Sequence, residues 1–221
     1  MKQPLHVASI STICNLILIA PILGATTIGP FDVGASASSA TLISGGGSSF
    51  GWLNTTNAPL TISQALTDSA IIDTGFANAS AGTTIDLGFA PNIAKNIFGA
   101  DLVLFESFGA DDYIISTSFD GFATEITLAA SAFVDTGVIR SYFYQHNSSG
   151  PFSSAVFGAP IDLTSLGVPF GTSVSSIRIR TAGNGNDPLG IGAVVPEPGT
   201  VVLLSFGVAG LFARRKRTQI I

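Results

Sequence analysis

The chain has 221 residues and a formal net charge of −5, and charged side chains make up only 10% of it. Five of its nine cations (Lys2, Arg214, Arg215, Lys216 and Arg217) sit at the two ends, so the part between them carries a charge of roughly −10, a sign that repels polyphosphate. Nucleic acid is thereby excluded as a partner, and a single cysteine excludes a disulfide framework.

Met1-Lys2 opens a weakly basic segment, and Ile10 to Leu23 is mostly apolar, broken by Asn15 and Pro21 and followed by the small residues Gly24 and Ala25. That layout predicts a secretory signal peptide over residues 1–25, with cleavage farther on, near Ala37, as the alternative. Pro21 and Gly24 would interrupt a buried helix, which disfavours a structural reading of the same segment. Cys14 lies inside it, behind Ser11-Thr12-Ile13, which is not a lipoprotein box, so the exported remainder is expected to contain no thiol.

With both ends removed about 170 residues remain, enough for one domain with a substantial core. Low charge combined with 25 glycines, abundant Ser and Thr and 16 phenylalanines argues for an all-β domain and against disorder. Between Ser36 and Ser49 the chain is small and polar, ending in Gly45-Gly46-Gly47-Ser48-Ser49, so residues 26–49 are expected to form a flexible Ser/Gly-rich lead into a domain spanning 50–195. Phe50-Gly51-Trp52 begins that domain, and a short helix from Ser63 is expected within Ala58 to Asp73.

Strand signals then repeat. Thr84 to Phe89 alternates polar and apolar, and Asp101 to Glu106 is a compact apolar run of the kind buried in a sandwich. Tyr113 to Phe119 runs into the turn dipeptide Asp120-Gly121, from which Phe122 to Leu128 returns. Val138 to Tyr144, Val174 to Arg180 and Gly190 to Val195 follow. These segments predict an antiparallel β-sandwich, a jelly roll, flanked by an N-terminal signal helix and a C-terminal hydrophobic helix.

The last stretch, residues 196–217, has three parts: Pro196-Glu197-Pro198-Gly199, the apolar run Val201 to Ala213, and Arg214-Arg215-Lys216-Arg217. The prolines keep the backbone around Glu197 extended, which suits a protease cleft better than a helix. The basic cluster resists translocation and stays cytoplasmic. As a permanent tail anchor, the alternative reading, the apolar run is short: about 20 Å as a helix against a hydrocarbon core of about 30 Å. Order, spacing and position together resemble the PEP-CTERM sorting domain of Gram-negative bacteria. The resemblance implies passage through the Sec translocon, retention in the inner membrane through the apolar segment, and processing by an exosortase. The final address would be the cell surface, the outer envelope or the extracellular matrix.

A second resemblance spans Ala58 to Val195. Ala65-Leu66-Thr67-Asp68, Thr84-Ile85-Asp86-Leu87-Gly88, Gly99 to Glu106, Ile115 to Phe122 with its Asp120-Gly121 turn, Ile161-Asp162-Leu163, Ile177-Arg178-Ile179 and Asp187 to Val194 follow the order seen in galactose-binding-like (discoidin-type) jelly rolls. The loop after Asp68 lacks the glycine-rich turn of those domains, and the loop Asn184-Gly185-Asn186-Asp187 is shorter.

Candidate chemistry is sparse. His146 stands in Gln145-His146-Asn147-Ser148-Ser149-Gly150 as a conceivable general base, but no nucleophile-elbow sequence accompanies it. Glu106 with Asp111 or Asp112 is the candidate carboxylate pair of a glycoside hydrolase. The same acids, or Asp68 with Asp187, are the candidate ligands of a structural calcium ion, which takes carboxylate and carbonyl oxygens; solvated turn caps are the alternative. Zinc lacks ligands. Asn54, Asn78 and Asn147 each begin an N-x-S/T sequon. For stacking on sugar, the candidates are Trp52, Tyr142 and Tyr144, the last two expected on one strand face, with core packing as their other use. The resulting expectation is an exported structural or polysaccharide-binding protein without catalysis; an exported carbohydrate-active hydrolase is the alternative.

Overall fold

The computed structural model describes residues 25–46, 51–56, 60–144 and 150–195. Its strands are β1 (Thr26–Ile28), β2 (Phe31–Ser36), β3 (Ser39–Ser44), β4 (Gly51–Asn54), β5 (Thr74–Ala77), β6 (Thr84–Gly88), β7 (Leu102–Ser107), β8 (Tyr113–Thr117), β9 (Glu125–Leu128), β10 (Val134–Tyr144), β11 (Phe152–Ile161), β12 (Ser176–Thr181) and β13 (Pro188–Val194). One short helix, α1 (Ile62–Leu66), starts where Thr61 and Gln64 close a reciprocal capping box.

The strands form two sheets in the orders β1-β2-β13-β7-β11-β10-β4-β5 and β3-β6-β12-β8-β9. Their pairings are antiparallel throughout. The protein is an all-β sandwich.

Alternation decides the facing. In β12, Ile177 and Ile179 are buried while Arg178 and Arg180 turn outward to Asp86 and Glu125. The inward set meets Ile85 and Leu87 of β6, Ile115 of β8, Leu102 and Leu104 of β7 and Ile191 of β13, forming the core between the sheets. Every residue of β7 is buried, because the larger sheet is covered on both faces.

The second cover is its own edge. β5 comes back against β13, so close that a Cβ on Gly75 would lie 2.7 Å from both Pro188 O and Leu189 Cδ2. Inside that curl Leu53, Val103, Phe105, Tyr142, Val156 and Leu189 form a second apolar cluster. Ile71 and Ile72 enter it from the loop before β5, and the Tyr142 hydroxyl donates to Ile72 O at 2.6 Å.

The expectation of a flexible lead over residues 26–49 is corrected. Residues 26–44 supply β1, β2 and β3, and β2 and β3 pair with β13 and β6. Their Ser, Gly and Ala content resembles a linker, yet Val33, Ala37 and Ala40 are buried in the interior, and small side chains suit the close strand packing. The folded unit therefore begins well before residue 50. The short helix expected from Ser63 is α1, and Phe122 to Leu128 does return along β8, as β9. The connection is longer than a two-residue turn: a 3-10 turn over Ser118–Asp120 leads into Gly121 with φ 71°, and both Asp120 carboxyl oxygens accept backbone N–H bonds from Ala123 and Thr124.

No helix among the described residues is long and apolar enough to cross a membrane. The signal segment, the C-terminal hydrophobic segment and the sorting residues Pro196, Glu197, Pro198, Arg214, Arg215, Lys216 and Arg217 lie outside the described residues, as does His146.

Candidate functional site: an aromatic cleft backed by buried carboxylates

β7 ends at Ser107, and the next residue, Phe108, takes a left-handed backbone (φ 65°) with its N–H donating to Ser154 Oγ at 2.8 Å. A phenylalanine in this region is strained, and such strain tends to gather where function requires it. Phe108 remains half exposed, and its ring stacks on Phe152 of β11 with centroids 5.0 Å apart and planes at 30°. A second left-handed residue, Asn78 (φ 54°), follows β5. Its N–H donates to Asp187 Oδ1 at 2.7 Å and its amide nitrogen to the Tyr144 hydroxyl at 3.3 Å. Ala77, Asn78, Phe108, Tyr144, Phe152 and Asp187 line an open cleft of ≈ 410 Å³. Asp187 Oδ2 makes no hydrogen bond among the described residues.

Behind the cleft, Glu106 is wholly buried. Its Oε1 accepts from the Tyr113 hydroxyl at 2.7 Å and from Asp187 N–H at 3.1 Å, and its Oε2 from Asp111 N–H at 2.9 Å. Burial pushes the Glu106 carboxyl from 4.5 up to about 8, outweighing the three hydrogen bonds that favour its ionised form. Burial likewise raises Asp187 from 3.8 to about 7, against the bond from Asn78. Tyr113 is fully buried, with Asn186 beside it. Asn186 is itself held by its Nδ2 donating to Asp112 O at 3.0 Å.

Of the aromatics singled out from sequence, only Tyr144 reaches the cleft. Tyr142 is fully buried in the second apolar cluster, and Trp52 is half-buried on β4 opposite Phe76. Tyr142 therefore offers no stacking face, a correction that follows from the curl of the larger sheet over β10. Phe108, Phe152 and Asn78 were not singled out as ligand residues. Only Phe108 carried a local signal, a phenylalanine directly before a glycine at a strand end, where an apolar side chain has no core to enter.

The carboxylates expected to hold calcium do not form one group. Among the described residues no three His, Cys, Asp or Glu side chains gather to hold a metal. Glu106 has both oxygens on N–H and O–H donors. Asp112 accepts Ala130 N–H at 2.6 Å, Asp111 gives its N–H to Glu106, and Asp68 caps its own turn by accepting Ala70 N–H at 3.2 Å. Asp68 acts on Tyr142 together with Asp73 and Arg140, whereas Asp187 sits with Glu106 and Asp111. Of the sequons, Asn54 is buried, Asn78 is exposed at the cleft, and Asn147 lies outside the described residues.

Residues 194–217 match the family model of the PEP-CTERM protein-sorting motif. No curated protein and no solved structure matches the chain. The motif marks the chain for export and exosortase-type sorting, while the likeness to galactose-binding-like jelly rolls finds no support in these comparisons.

Proposed function

We propose that this chain, which carries a PEP-CTERM sorting motif, is an exported cell-envelope or matrix protein that binds polysaccharide in the Phe108–Phe152 cleft and does not cleave it. The observation that carries the reading is the cleft itself. A pyranose ring presents an apolar C–H face and a hydroxylated edge. The paired phenylalanine rings offer a surface to the first; the Asp187 carboxyl, the Asn78 amide and the Tyr144 hydroxyl offer partners to the second. Catalysis by Glu106 is disfavoured because its carboxyl is sealed from solvent and saturated by donors. Export through the Sec translocon with removal of the signal near Ala25 fits this body better than cleavage near Ala37, which would strip β1 and β2 from the larger sheet.

The test is binding to an array of neutral hexose oligosaccharides. The native chain is expected to bind without releasing reducing ends, and Phe108→Ala or Phe152→Ala should each weaken binding about tenfold, the worth of one stacked aromatic. Release of reducing ends would establish the hydrolase instead. Unchanged binding in both variants would move the site elsewhere.

A further inference from the structure

The chain leaves the sandwich at the end opposite the cleft. β13 runs from Pro188, next to Asp187, to Val194, a path of about 20 Å at the usual rise of a strand. Val194 N–H still donates to Asp101 O and Val195 N–H to Asp32 O, both at 2.9 Å, so the fold holds the chain up to the residue before Pro196. The Asp101 carboxylate, in turn, accepts Ile97 N–H at 2.6 Å and Leu163 N–H at 2.7 Å, fixing at this exit the loop between β6 and β7 and the start of the segment between β11 and β12.

These two segments are tied to each other. Asn96 N–H donates to Thr172 O and Gly171 N–H to Asn96 O, each at 2.8 Å, and the Asn96 side chain donates to Val168 O at 2.6 Å. Their tips carry Phe98 and Phe170, 83% and 76% exposed, the most exposed large apolar side chains among the described residues. Lys95 is exposed beside them, bridged in backbone register to Ser173. Rings held out by a braced loop pair are not accounted for by the core, and the pair is tied to the exit through Asp101, whose carboxylate holds Ile97, the residue before Phe98, and whose carbonyl holds Val194.

We infer that this end of the sandwich is a membrane-facing surface, with Phe98 and Phe170 resting in the bilayer interface while the sorting segment is attached and with the cleft turned outward. The inference rests on the export reading above. Six residue steps separate Val195 from Val201, the first residue of the apolar run, so the exit lies at most about 20 Å from that run. The exposed acids at this end, Asp32 and Asp162, outnumber Lys95, so the attraction is apolar and should not depend on anionic lipid.

The experiment uses the full chain with Cys14→Ala in nanodiscs of phosphatidylcholine, with nitroxide labels at Phe98→Cys, Phe170→Cys, Ile139→Cys and Phe108→Cys in turn. The ratio of oxygen to nickel-chelate accessibility is expected to be several-fold higher at the first two sites than at the other two, and unchanged when phosphatidylglycerol is added. Equal water accessibility at all four sites would overturn the inference and leave sorting intact. A chain that does not stay with the discs would remove the sorting premise and the inference together. Spin coupling between labels of two copies at positions 98 and 170, in place of lipid contact, would assign the surface to self-association and likewise overturn it.

Discussion

Replacing Glu106 with glutamine isolates the electrostatics of the buried network. In the folded protein Glu106 titrates near pH 8, and in the unfolded chain near 4.5. Between those values the folded state holds a proton that the unfolded state has released. Its contribution is fully present below pH 4.5 and is lost as pH rises through 8. The shift corresponds to about 5 kcal/mol at most, against a total stability of about 5–15 kcal/mol for an ordinary domain. Asp187, raised from 3.8 to about 7, acts in the same direction over a slightly lower window. The two share a hydrogen bond, so their effects are not expected to add in full. Glutamine can keep its Oε1 on the Tyr113 hydroxyl and Asp187 N–H, but its Nε2 then faces Asp111 N–H, a mismatch costing about 1–3 kcal/mol. Urea denaturation from pH 5 to pH 9 should therefore show a shallower loss of stability for Glu106→Gln than for the native chain as pH rises, the two curves crossing at about pH 5–7 and the variant being the more stable by pH 8. A native profile flat over that range would mean that the three hydrogen bonds outweigh burial, and the neutral-acid reading would be refuted.

Gly75→Ala would push β5 off β13 and, with it, Asn78 away from Asp187; a loss of about 1–3 kcal/mol in denaturant unfolding, accompanied by weaker glycan binding, is expected. Arg178 grips Asp86 through two hydrogen bonds of 2.6 and 2.9 Å and lies 3.9 Å from the centroid of Phe122. Arg178→Ala should lower stability by about 1–2 kcal/mol, and Arg178→Lys should recover only part, because an ammonium cannot reproduce the fork. Exchanging Pro196, Glu197 and Pro198 for alanine should leave the precursor at full exported length in membrane fractions on an immunoblot; normal processing of that variant would dismiss the sorting assignment.

What was legible in the sequence was what a two-residue period encodes. β6, β7, β8 and β12 show their alternation or their apolar run directly, because each has at least one face on the core between the sheets. β11 did not show itself, though it lies inside the larger sheet between β7 and β10. At Gly158 the interior is filled from outside the strand: a Cβ there would lie 2.6 Å from the Phe31 ring, so the position that would announce burial had to be glycine. β2 and β3 escaped for a related reason, since serine, alanine and glycine satisfy both a linker's composition and a tightly packed strand's sterics. The cleft was illegible because it depends on curvature. Asn78 and Asp187, 109 positions apart, meet only because the eight-stranded sheet folds β5 back onto β13, and no local pattern records that closure.

One strand, β13, joins the proposed glycan cleft to the proposed membrane-facing end. β13 begins beside the carboxyl of the cleft and ends in the hydrogen bonds to Asp101 and Asp32, where the family match to the sorting motif starts at residue 194. A tether attached through a flexible linker would let the body tumble, and the cleft would face lipid as often as matrix. The sheet pairs β13 on both sides and its bonds hold the chain as far as Val195, so the point of departure is fixed on the body. Inserting a flexible Gly/Ser segment after Val195 is therefore expected to leave folding and glycan affinity in solution unchanged. On the disc-bound chain it should lower the oxygen-to-nickel ratio at labelled positions 98 and 170. If the ratio stayed the same, the phenylalanine rings alone would hold the orientation, and the rigid exit of β13 would have no part in it.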